Sequence, residues 1–187
     1  MPDDQSTTGD VVDLLLEQHE EARRLFSHLE GGAAGRRDTF DCLVRLLAVH
    51  ETAEEEVVYP ALRGIGPEGE QVAEARKAEE DQAKTLLSDL EKIGVDGEGF
   101  DAQLETVRLA VFDHAAAEER EVFPLLRRSM DADTLRSMKS ALEAAEAMAP
   151  THPHPHGPES AIGNLLVGPF VAVVDKVRDA LRGGKKS

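Results

Sequence analysis

The stretch HETAEEEVVYPAL at residues 50–62 recurs as HAAAEEREVFPLL at residues 114–126, with seven of thirteen positions identical. Both copies keep a histidine, a glutamate four residues later, a second glutamate, then Val, an aromatic residue, Pro and Leu. Residues four apart lie one above the other on a helix face. His50 is therefore stacked with Glu54, and His114 with Glu118. An imidazole nitrogen beside a carboxylate oxygen suits a first-row metal ion, and two such pairs can face each other inside a helical bundle. The repeat reads as a duplicated metal half-site.

Working outward, both motifs sit on apolar stripes of helical period. Phe40, Leu43, Leu47, His50, Glu54, Val57 and Ala61 define the first, on a helix predicted over 37–59 that Pro60 kinks or ends. Leu104, Val107, Val111, His114, Glu118, Val122 and Leu125 define the second, on a helix over 100–128. A third helix is expected from Pro67, a residue suited to the first helical position, to Ile93. Its LLSDLE at 86–91 matches LFSHLE at 25–30 on a first helix that Asp10 can cap. That register sets Glu80 against His19 and Ala83 against Ala22. Helices one and two are thus echoed by three and four. Short glycine-bearing connections favour antiparallel neighbours, so the expected fold is all-α: an up-down-up-down four-helix bundle with a pseudo-twofold axis.

Composition agrees. Of 187 residues, 31% are charged and only 4% aromatic, with no Trp, which favours helices over a sheet. The net charge of −16 makes nucleic acid an unsuitable partner and cations suitable ones. Cys42 alone cannot form an internal disulfide, and the acidic start MPDDQSTTGD lacks the features of a signal peptide. No apolar run is long enough to span a bilayer. A cytoplasmic protein without membrane contact is expected. Residues 1–9 read as a tail, 10–129 as the bundle, and 130–187 as a helical extension. The extension holds a helix over 133–147, a Pro/His-rich linker at 150–160 and an amphipathic segment over 162–181.

Six residues meet at one level of such a bundle: His19, His50, Glu54, Glu80, His114 and Glu118. A single histidine on an apolar face is ordinarily just hydrogen-bonded, but two copies of the paired spacing on core stripes reverse that reading. Burying three glutamates without a counter-charge costs several kcal/mol apiece or forces them to take up protons. A bound metal pair removes the problem. Glu54 and Glu118 are then the bridging carboxylates, with His19 and His50 serving one metal and Glu80 and His114 the other. The mixed nitrogen and oxygen donors favour iron over zinc, with manganese as an alternative.

HETAEEEVVYP and HAAAEEREVFP, with EQHEE at 17–21, resemble the hemerythrin-like (HHE cation-binding) family over about residues 10–128. The tail, with THPHPHGP and NLLVGPFVAVVDKVRDALRG, is similar to bacterial members with a C-terminal extension. The resemblance implies a non-haem di-iron centre, oxo- or hydroxo-bridged, that binds, senses or reacts with dioxygen, nitric oxide or hydrogen peroxide, with or without turnover. The alternatives are a cation-binding or iron-buffering module and a metal-dependent regulatory module. The family usually places a histidine in the third helix where this chain has Glu79, Glu80 and Asp81. The repeat selects Glu80, although a small rotation would turn Glu79 inward, and a carboxylate there makes the site harder and more anionic, which argues against reversible oxygen carriage. Glu51 pairs with Ala115 in the other copy, so symmetry does not support it as a ligand. Glu55 and Glu119 lie one step off the stripe, behind the ligands or in solvent. Tyr59 equates with Phe123, which favours packing, with metal ligation or radical quenching a distant second. His28 is expected to be exposed, His152, His154 and His156 read as surface linker, and Cys42 carries no assigned chemistry.

Overall fold

The computed structural model of the chain describes residues 9–32, 35–149 and 151, and every element among them is helical. Helix α1 (Val11–Glu30) starts at a capping box. Asp10 accepts from the amides of Val12 and Asp13 at 2.9 and 3.1 Å, and Asp13 accepts from the Asp10 amide at 2.8 Å. Helix α2 (Arg36–Ala53) and helix α5 (Phe100–Ala117) both follow a glycine in the left-handed region, Gly35 at φ 88° and Gly99 at φ 86°. Glycine is the residue that takes this conformation without steric cost. These glycines occupy equivalent places in the two halves, so the duplication extends into the turns.

Pro60 does not end its helix, one of the two outcomes expected above. A π-helical turn, Glu54–Val58, precedes it, and the chain continues as α3 (Tyr59–Ile65). The second copy does the same, with a π-turn at Glu118–Val122 and then α6 (Phe123–Ser129). A proline cannot donate to the carbonyl four residues back, and its ring crowds that carbonyl. Widening the preceding turn relieves both problems. The Tyr59 amide reaches back to the Glu54 carbonyl, and the Phe123 amide to that of Glu118. Each π-turn therefore begins on the glutamate of a His-x-x-x-Glu pair, and such bulges frequently mark functional positions. Helix α4 (Pro67–Ile93) runs without a break.

Helix α1 packs on α2 and α4 on α5, with α1 also touching α5 and α2 touching α4, which closes the four-helix bundle. Two apolar clusters fill it. One holds Phe26, Leu29, Phe40, Leu43, Leu87, Leu90, Phe100 and Leu104. The other holds Val12, Leu15, Val57, Val58, Leu62, Leu125 and Leu126, together with Met138 and Leu142 of α7 (Ala132–Glu146). Helix α7 lies against α1, α2 and the first π-turn, and Met138 and Leu142 are fully buried there. Each such side chain contributes roughly 1.5–3 kcal/mol of burial free energy. The tract of His152, His154 and His156 and the segment 162–181 lie outside the described residues.

Candidate metal centre

Along α1 the side chains pass from Leu15 in one cluster through His19 to Ala22 in the other, and along α2 from Leu47 through His50 to Ala53. The polar layer thus lies between two apolar ones. His19, His50, Glu54, Glu80, His114 and Glu118 are all buried, the three glutamates with no exposed surface. Nε2 of His19 lies 3.3 Å from Glu118 Oε2, His50 Nε2 3.3 Å from Glu54 Oε2, and His114 Nε2 3.6 Å from Glu118 Oε2. Glu80 Oε1 is 4.0 Å from His114 Nε2. Donor atoms of His19, His50 and Glu118 lie within 4.8 Å of one another, as do those of Glu54, His114 and Glu118. Two candidate three-donor groups therefore share Glu118. The structure brings all six predicted residues to one level.

The outward nitrogens explain the ring orientations. Nδ1 of His19 faces Glu119 Oε1 at 3.0 Å, that of His50 faces Gln18 Oε1 at 2.7 Å, and that of His114 faces Glu79 Oε2 at 3.1 Å. All three partners can accept, so with a metal bound each Nδ1 would carry the proton and each Nε2 would present its lone pair inward. His19 Nε2 and Glu118 Oε2 are then two acceptors facing each other. Among the described residues, His19 Nε2, His114 Nε2, both oxygens of Glu54, both of Glu118 and Oε2 of Glu80 are buried without a hydrogen-bond partner. So dense a cluster of unpartnered acceptors is costly in a protein interior, and a cation satisfies it.

The ionisation pattern agrees. Burial, reinforced by neighbouring carboxylates, holds Glu54 and Glu80 well above the usual carboxylate range. Burial also opposes ionisation of Glu118, but positive charge among the surrounding imidazoles, His114 first, outweighs it and brings Glu118 below that range, the charge a bound cation would supply where the imidazoles are neutral. Burial, with the adjacent His19, brings His50 down to about 3, so its imidazole is neutral. Without cations burial therefore favours the protonated forms of Glu54 and Glu80. Metal binding would expel those protons.

Sequence reasoning placed Tyr59 in packing, with metal ligation a distant second. Its hydroxyl in fact donates to Glu80 Oε1 at 2.5 Å, whereas Phe123, its equivalent, stacks on His19 with ring centroids 5.5 Å apart. The broken symmetry is thus a paired one: histidine beside phenylalanine in one half, glutamate beside tyrosine in the other. Glu79 stays at the rim, held by Arg76 at 2.8 Å, and Glu119 is held by Arg23 at 2.7 Å. Lys84, the counterpart of Arg23, likewise binds Glu55. Glu51, which symmetry did not support, is buried, and burial pushes its carboxyl up to about 8. It lines a cavity of about 20 Å³ with His19, His50 and His114, walled by Ala22, Leu47, Ala83 and Val111. That volume admits one water-sized molecule.

A helical bundle with an inward-facing layer of imidazoles and carboxylates defines a cation-binding protein class. The chain matches the Hemerythrin HHE cation binding domain over residues 10–126, and it belongs to that family. It is 29% identical over 136 residues to an uncharacterized hemerythrin-like protein of Schizosaccharomyces pombe, covering 72% of this chain and 67% of that protein. It is 24% identical over 139 residues to a DNA nickase of a Nostoc species, covering 73% of this chain but only 39% of that protein. Its fold is similar to the crystal structure of a hemerythrin HHE cation-binding domain-containing protein of Mycobacterium kansasii. The TM-score is 0.66 at 21% identity, over 90% of this chain and 99% of that one. No helix among the described residues is long and apolar enough to cross a membrane.

Proposed function

We propose that the polar layer holds two metal ions, iron in preference to manganese, and that the protein binds, senses or reacts with dioxygen, nitric oxide or hydrogen peroxide. The observation that carries this reading is the cluster of inward-facing, unpartnered buried nitrogen and oxygen atoms on five of the six residues. His19 and His50 would hold one ion and His114 and Glu80 the other, with Glu54 and Glu118 bridging. A pair of redox-active metals supplies the Lewis acidity and the electrons that such small oxidants require.

The chain's own residues perform the rest. Glu119, Gln18 and Glu79 fix the three imidazoles with Nε2 inward. Tyr59 holds one oxygen of Glu80 by donating to it. Ala22, Leu47, Ala83 and Val111 wall the cavity and keep it to small molecules. Glu80 in place of an imidazole favours the more oxidised metal state and disfavours reversible carriage. The net charge of −16 also opposes transfer of the nickase's activity on DNA to this chain.

Metal analysis after expression with iron should give two irons per chain, and stopped-flow mixing of the reduced protein with peroxide or oxygen should give a transient. Absence of bound metal overturns the reading. Bound iron with no reaction supports an iron-buffering module instead.

A further inference from the structure

In the half of the site built on α4 and α5, the acceptor for the His114 Nδ1 proton is a carboxylate, Glu79, held from the same helix by Arg76. The equivalent residue in the other half is Gln18, and the position equivalent to Arg76 is Leu15. An amide can present either its oxygen or its NH2 to an imidazole, so Gln18 by itself does not determine which His50 nitrogen is protonated. The structure supplies the missing determinant from outside the duplicated unit. Gln18 Nε2 donates to Glu146 Oε1 at 2.5 Å, and Glu146 ends α7, beyond the 10–126 stretch that matches the family. Glu146 is half-buried, and α7 is anchored on α1, α2 and the first π-turn through Met138 and Leu142.

We infer that Glu146 is a positioning residue for the metal centre: it holds the Gln18 amide with Oε1 toward His50, which keeps the proton on Nδ1 and the lone pair on Nε2. An ionised carboxylate only accepts, so it selects the NH2 side of the amide; the Oε1 side then selects the N–H of the imidazole. The C-terminal helix thereby acts on a ligand it does not touch. This inference rests on the two-metal reading for its consequence, though not for its geometry.

The test uses the full chain with Glu146→Leu and with the exchange Gln18→Glu/Glu146→Gln. In the exchange, the carboxylate introduced at position 18 would accept from His50 Nδ1 as Glu79 does from His114, and the amide introduced at position 146 would donate to that carboxylate. Nitrogen-15 NMR of the His50 ring in the metal-free protein reads the tautomer, and competition with a chromogenic chelator reads iron affinity. Glu146→Leu should move His50 toward a mixture of tautomers and weaken iron binding about 10–100-fold, the usual cost of losing an outer partner. The exchange should restore both. A His50 ring that stays protonated on Nδ1 in Glu146→Leu overturns the inference, whatever happens to affinity. So does failure of the exchange to restore the tautomer. A shifted tautomer with unchanged iron affinity upholds the hydrogen-bond role of Glu146 and overturns His50 as a metal ligand.

Discussion

The Tyr59–Glu80 pair allows a quantitative test of how the broken symmetry is accommodated. Tyr59 is 1% exposed and Glu80 not at all, so neither group can exchange its partner for water. Tyr59→Phe deletes one buried donor and leaves Glu80 Oε1 without its hydrogen bond, a loss of about 1–3 kcal/mol. With a urea slope of about 2 kcal/mol/M, the midpoint of the metal-free protein should fall by roughly 1 M. The control is the same substitution in a Glu80→Leu background. There the tyrosine hydroxyl has already lost its acceptor, so its removal should be neutral or stabilising. The double-mutant cycle, followed by circular dichroism in chelator-treated buffer at pH 6, should return a coupling of about 1–3 kcal/mol. Equal costs in both backgrounds would show that the tyrosine acts by packing alone and that its hydroxyl does not compensate for the missing histidine.

The metal-free protein should lose stability as pH rises. The folded-state value of Glu51, about 8, lies above the unfolded value near 4.5, so its contribution is complete below pH 4.5 and is lost on the way to about 8. Glu54 and Glu80 are displaced in the same direction and add to the loss. Thermal melts across pH 5–9 should therefore show a falling midpoint without metal and a flatter profile with iron, and a midpoint that rises with pH without metal would contradict this. His50→Ala and Glu118→Ala should each abolish stoichiometric iron binding while retaining the helical spectrum, since Glu118 joins both donor groups. Leu142→Ala, deep between α7 and the bundle, should cost about 2–5 kcal/mol in urea denaturation.

Much of this arrangement was legible in the chain. The apolar stripes placed His50, Glu54, His114 and Glu118 inside, and the weaker echo of LFSHLE in LLSDLE located Glu80, because a core face imposes a period that polar residues can be read against. The π-turns were not legible: a proline announces a lost hydrogen bond but not whether the helix ends or widens. The outer partners were only half visible. Aligning the halves pairs Gln18 with Glu79, Arg23 with Lys84, and Tyr59 with Phe123, so the compensation at Tyr59 could have been suspected beside the His19 and Glu80 exchange. Glu146 had no such signal, because its role arises from where α7 docks and not from the repeat.

Anomalous diffraction at the iron edge, on crystals of the iron-loaded protein, is the most direct test of the two-metal centre. The expected map has two peaks in the polar layer, one beside His19 and His50 and one beside His114 and Glu80, with Glu54 and Glu118 between them. A single peak, or iron bound only away from these residues, would contradict it.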